Sequence, residues 1–183
     1  MANFLNPKEI IKKLKLKANM TAADFGAGSG FWSIPLAEEL GEGKVVAIDI
    51  QKEPLSALKS KVKHRNINNL EISRSNIEKM HGSKLLSKSC DLVLMTNLLF
   101  EIEDKKIVLS EASRVLKDNG RILVVDWKEN DSFGPRENAI SSSDIKNIKE
   151  IPFQVSREFE AGPNHWAMIL EKKPSHNNIV ETA

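Results

Sequence analysis

The chain has 183 residues, of which 40% are hydrophobic and 28% charged, and a net charge of +2. That length suits one domain with a sizeable core, and so small a charge surplus is no argument for a nucleic-acid partner. A single cysteine, Cys90, excludes an internal disulfide framework and a cysteine-cluster zinc site, and no stretch reads as a signal peptide or a membrane span, so a cytoplasmic protein with no membrane partner is expected. The first predicted element is a helix over 6–17. Asn6 can cap it, Pro7 suits its first position, and Glu9 sits three after the cap. Ile10, Ile11 and Leu14 give it an apolar side; Lys12, Lys13, Lys15 and Lys17 read as a solvated face.

Residues 21–25 read as a strand that runs into Asp24-Phe25-Gly26-Ala27-Gly28-Ser29-Gly30. Glycines at alternate positions allow backbone angles that side chains forbid and let a ligand approach the main chain. A helix over 31–40 should follow and turn its free N–H groups toward that ligand. The dinucleotide fingerprint G-x-G-x-x-G fails here, because its last glycine falls on Phe31 or on Ser33. The second strand, 44–50, carries Asp49 nineteen residues past Gly30. A carboxylate at that strand end can accept two hydrogen bonds from ribose hydroxyls.

This pattern resembles the S-adenosylmethionine-dependent methyltransferases of the Rossmann-like class I. Asp24 to Gly30 is similar to their first motif and Asp49 to their second. The likeness, which covers about residues 20–173, points to the small-molecule (type 11, UbiE-like) branch. It implies a three-layer α/β Rossmann-like sandwich with a seven-stranded, mostly parallel sheet in the order 3-2-1-4-5-7-6 and an antiparallel closing strand. It implies S-adenosyl-L-methionine as cofactor and S-adenosyl-L-homocysteine as product. It assigns cofactor contacts to Asp24, Gly26, Ala27, Gly28, Gly30, Asp49, Ile50, Asn76, Ile77 and Asn97. Either Asn76 or Ile77 matches the adenine-facing position, where the family more often has Asp.

A helix over 53–64 follows the second strand, with Leu55, Leu58 and Val62 at helical spacing and a lysine-rich outer face read as solvated. A short strand is expected over 70–73. The apolar run 90–95 suits a central strand buried on both faces, and 97–101 should cross the ligand at its carboxyl end. A helix over 104–116, stopped by Asp118-Asn119-Gly120, leads to a strand over 121–126. Residues 130–143 read as a mobile loop and 143–150 as a helix. Strands over 153–159 and 165–172 are joined by Ala161-Gly162-Pro163-Asn164, and a disordered tail begins at 174.

Methyl transfer from a sulfonium needs positioning more than a catalytic group, with a base only where the acceptor loses a proton. Topology brings Asp126, Trp127, His165 and Trp166 to one rim; His165 and Asp126 are the candidate catalytic residues. Asn97-Leu98-Leu99-Phe100 is not the proline-containing stretch of amine N-methylating enzymes of nucleic acids and glutamine. Cys90 stands at the wrong end of its strand for a nucleophile, and Asp126, Glu101 and Asp131 make no clear metal site. A small-molecule acceptor is expected, with a homodimer as an option for completing its pocket. An RNA or protein acceptor stays open, as does a non-catalytic protein that binds S-adenosylmethionine.

Overall fold

The computed structural model describes residues 5–129, 132–135, 138–149 and 151–173. Its strands are β1 (Thr21–Phe25), β2 (Lys44–Asp49), β3 (Leu70–Arg74), β4 (Cys90–Thr96), β5 (Leu116–Trp127), β6 (Phe153–Glu160) and β7 (His165–Lys172). Its helices are α1 (Pro7–Lys13), α2 (Ser33–Glu39), α3 (Lys52–His64), α4 (Lys105–Val115) and α5 (Ser142–Asn147). The strands form one sheet in the order β3-β2-β1-β4-β5-β7-β6, parallel except where β7 runs against β5 and β6. This is the order and the closing strand that the resemblance implied. The tail from 174, like residues 130–131 and 136–137 of the expected loop, lies outside the described residues.

Side-chain alternation on β4 divides the core. Val93 and Met95 pack on the side of α4 and α5 with Phe25, Ile122 and Val124. Leu92 and Leu94 pack on the side of α1, α2 and α3 with Ala22, Leu36, Leu58 and Leu123. Both faces of the central strands are therefore apolar, as a strand covered by helices on two sides requires. No helix among the described residues is long and apolar enough to cross a membrane.

Four element boundaries differ from expectation, each for a local reason. α1 ends at Lys13: Leu14 closes it and Lys15 adopts a left-handed φ of 51°. Its Asn6 cap forms as expected, the side chain accepting from the Lys8 N–H. α2 begins at Ser33, because Phe31 and Trp32 complete the glycine turn; its C-terminal carbonyls, Ala37 and Leu40, are capped by the Asn69 amide. α4 stops at Val115, and Leu116 turns extended to pair with Cys90. Burying Leu116 outweighs its helix propensity, so Asp118-Asn119-Gly120 lies within β5, and the pairing with β4 resumes at Arg121 after a register shift. α5 starts one residue and ends three residues before the helix read over 143–150, its start fixed by a capping box between Ser141 and Asp144.

The connection from β3 to β4 is anchored by Glu111 of α4. This carboxylate, 3% exposed, accepts from the Ser83 N–H, the Ser83 hydroxyl at 2.5 Å, the His81 N–H and the Arg114 guanidinium at 2.7 Å. Those donors hold its pKa down at about 2 against the opposing effect of burial. Glu111→Ala leaves the part-buried Arg114 guanidinium without its carboxylate and three further donors without their acceptor, and is expected to destabilise the fold by about 3 kcal/mol. Thermal melting checks this; an unchanged melting temperature would remove the anchor role.

Candidate functional site

The glycine turn is built as its spacing requires. Gly26, Gly28 and Gly30 have φ of 74°, 51° and 86°, the left-handed region that favours glycine. The Gly26 and Ala27 N–H groups donate to the Ile48 carbonyl, which ties the turn to the end of β2. A Cβ on Gly28 would meet nothing within 4 Å, whereas one on Gly30 would lie 2.3 Å from a Leu58 methyl in the core. Gly28 therefore faces open space and Gly30 faces the protein.

The open space is a cleft of about 350 Å3. Gly26, Ala27, Gly28, Asp49, Ile50, Asn76, Ile77 and Asn97 all line it. Leu98 and Glu101 bring the 97–101 loop across it as expected, and Trp32 lines it behind the glycine turn; Phe31, Ser75, Glu78 and Ile102 are walls that the sequence did not single out. Phe31 and Ile50 stay more than half exposed there. Leu98 packs so closely on Gly26 that a Cβ would lie 2.7 Å from it. Its sequence signal was its place in the 97–101 loop at the carboxyl end of a central strand.

Asp49 spans two neighbours. Its Oδ2 accepts from the Gly28 N–H and its Oδ1 from the Gln51 N–H, both at 2.8 Å. The carboxylate is thus fixed against the glycine turn, with further lone pairs for a diol. Asn76 Oδ1 accepts from the Glu78 N–H at 2.9 Å, which leaves its NH2 group as a donor toward the cleft. Ser75 N–H donates to the Asp49 carbonyl, so both walls hang from the end of β2. Lys61, read as a solvated lysine, instead donates to the Ser29 carbonyl and hydroxyl at 2.9 and 3.1 Å and clamps the turn.

Asp24 and Gly30 lie beneath the cleft and do not line it. Asp24 is fully buried, and its Oδ2 accepts from the Ser33 hydroxyl at 2.5 Å. Its Oδ1 has no hydrogen-bond partner among the described residues. Burial pushes its pKa up to about 7; the Ser33 hydroxyl opposes that, and the Asp49 carboxylate adds to it. The folded state thus binds this proton more tightly than the unfolded chain does, and stability falls as pH rises from about 4 to about 7. Asp24→Asn removes the buried charge. It is expected to stabilise the fold at pH 8 by about 4 kcal/mol, a rise of about 10 °C in melting temperature for a chain of this size. The gain should vanish below about pH 3, where the carboxyl is protonated in both states. An equal gain at both pH values would contradict the assignment.

His165 and Asp126, the expected catalytic pair, do not line the cleft either. His165 is 5% exposed and pairs across the sheet with Trp127, their ring centroids 4.0 Å apart. Asp126 is fully buried, and its carboxylate accepts from the Leu99 N–H at 3.1 Å and the Trp127 N–H at 2.9 Å. Burial raises its pKa to about 6 against these backbone bonds. Asp126 thereby positions the loop after β4, the loop that carries Asn97, Leu98 and Glu101 into the cleft. Trp166 uses its indole N–H on the Trp127 and Ile140 carbonyls, a structural role. Among the described residues no cluster of three or more acidic, histidine or cysteine side chains could hold a metal.

Residues 16–178 match a family described as a methyltransferase domain. The chain belongs to this methyltransferase family. Its fold is close to that of an S-adenosylmethionine-dependent methyltransferase from Aquifex aeolicus, 28% identical, with a TM-score of 0.82 over 91% of this chain and 89% of that one. A demethylmenaquinone methyltransferase from Oceanobacillus iheyensis is 31% identical over 131 residues, 71% of this chain and 54% of the relative. The chain spans about half the length of the curated relatives it matches. The [4+2]-cyclase SpnF, 11% identical with a TM-score of 0.77, shares the fold alone, a reminder that chemistry is set by the site and not by the sheet.

Proposed function

We propose that this methyltransferase moves the methyl group of S-adenosylmethionine to a small-molecule acceptor. The observation that carries the reading is the turn of three left-handed glycines, with Gly28 open to the cleft and Asp49 bonded to its N–H. The residues fit the cofactor. Gly26, Ala27 and Gly28 leave the main chain bare for close approach, and Asp49 offers acceptors to the ribose hydroxyls. Asn76, beside Ile77 and Ile50, offers an amide to the adenine edge between apolar walls. Beneath them Asp24 Oδ1, without a hydrogen-bond partner among the described residues, adds negative potential, which a positively charged ligand would reinforce by favouring the carboxylate form.

When bound, S-adenosylmethionine supplies an activated methyl group on a sulfonium that leaves as a neutral thioether. The protein's part is to orient the acceptor and exclude water. The loop after β4, held by Asp126, supplies that orientation. The reading asks for no proton transfer by His165 or Asp126.

Transfer of labelled methyl tests the assignment. With methyl-labelled S-adenosylmethionine and separate pools of small acceptors, bulk RNA and protein, label is expected in the small-molecule pool. Label confined to RNA or protein would overturn it.

A further inference from the structure

Beside the cofactor cleft lies a second cavity of about 590 Å3, and the two share Glu101 and Ile102 of the loop after β4. Phe100, Ile102, Ile140 and Ile148 give the second cavity an apolar lining, drawn from that loop and from the segment around α5. Four charged side chains border it. Lys105 donates to the Ile102 carbonyl at 2.8 Å. Asp144 is occupied by the Ser141 N–H and hydroxyl, both at 2.8 Å, and it lies in the field of Lys105. Glu101 and Glu103 remain, and neither is in an ion pair with a described residue. The cleft side of the same loop adds a third acceptor: Asn97 Oδ1 is buried without a hydrogen-bond partner among the described residues. Asn97 is held there at a left-handed φ of 49°, its N–H donating to the Val125 carbonyl at 2.8 Å.

The loop therefore offers acceptors and negative charge where the two cavities meet, and a buried carbonyl oxygen calls for a donor. We infer that this second cavity is the acceptor pocket and that it takes an amine, a small molecule with an apolar body and a nitrogen directed at Asn97 and Glu101. The inference rests on the cofactor reading above. The chemistry balances. The bound ammonium first loses a proton to water; the freed lone pair then forms the new N–C bond to the methyl carbon as the C–S bond breaks, its electron pair staying on sulfur. Positive charge passes from sulfur to nitrogen, toward the carboxylates of Glu101 and Glu103, which stabilise it as it develops. A tertiary amine keeps that charge; a secondary or primary one sheds a proton to Glu101 or to water.

The test titrates the full chain, first with S-adenosylhomocysteine and then, saturated, with three matched probes: 1-naphthylmethylamine, 1-naphthylmethanol and 1-naphthol. The amine is expected to bind at least about tenfold more tightly than the alcohol, the margin of one charge-assisted contact. Glu101→Gln, which removes the charge at the junction of the two cavities, should take away most of that margin, and Glu103→Gln a smaller part of it. Ile148→Trp should fill the cavity and abolish amine binding without changing the S-adenosylhomocysteine affinity. Equal binding of amine and alcohol, preference for the naphthol, no binding of any probe, or amine binding that survives Ile148→Trp would each overturn the inference. Failure to bind S-adenosylhomocysteine would instead sink the cofactor reading and this inference with it.

Discussion

Gly28→Val should abolish binding of S-adenosylmethionine while leaving the protein folded. The two consequences separate because of where the new side chain goes. A Cβ at Gly28 meets no protein atom within 4 Å, so the core is untouched, and the branched side chain extends into the cleft. The fold bears the strain of a φ of 51° on a valine, about 1–2 kcal/mol, and melting should fall by only a few degrees. Gly30→Val is the contrasting control. Its Cβ would sit 2.3 Å from Leu58 in the core, so it should lose stability and binding together. Calorimetry beside a melting curve reads both. Normal affinity in folded Gly28→Val would show that the ligand lies elsewhere.

Asp49→Ala comes next in size. Two losses coincide in it. The ribose hydroxyls lose a charged acceptor, about 1.5–3 kcal/mol per bond, and the Gly28 and Gln51 N–H groups lose the carboxylate that orders them. Affinity should drop at least about 100-fold, equally for S-adenosylmethionine and S-adenosylhomocysteine, because the ribose is common to both. A selective loss for S-adenosylmethionine would place Asp49 near the sulfonium instead. An unchanged dissociation constant would remove it from the site.

Much of this site was legible in the sequence because it is local. The glycines need left-handed angles, and only their spacing has to be read. Asp49 stands at a strand end that an apolar run marks plainly. The sheet order came from the resemblance, and the residues agree with it: Leu92 to Met95 have no polar face, as a strand between two helical layers must not.

What escaped was long-range. Lys61 resembles its solvated neighbours on α3, and only the packing of α3 against the turn brings it to Ser29. Asp126 and His165 do stand at the carboxyl-end rim of the sheet, but the rim has depth. Asp126 points under the loop after β4, and His165 stacks on Trp127, so neither reaches the cleft. Leu116 follows a helical pattern, and its pairing with Cys90 pulls it into β5. The meeting of Glu101 with Ile140 and Ile148 joins segments some forty residues apart, and no pattern along the chain reports it.

The most direct measurement is calorimetric titration of the purified chain with S-adenosylmethionine, S-adenosylhomocysteine and, as a control, NADH. Micromolar binding of both adenosyl ligands, with none of NADH, is the predicted result. A folded protein that binds neither adenosyl ligand, or that binds NADH as well as either, would contradict the reading of the glycine turn.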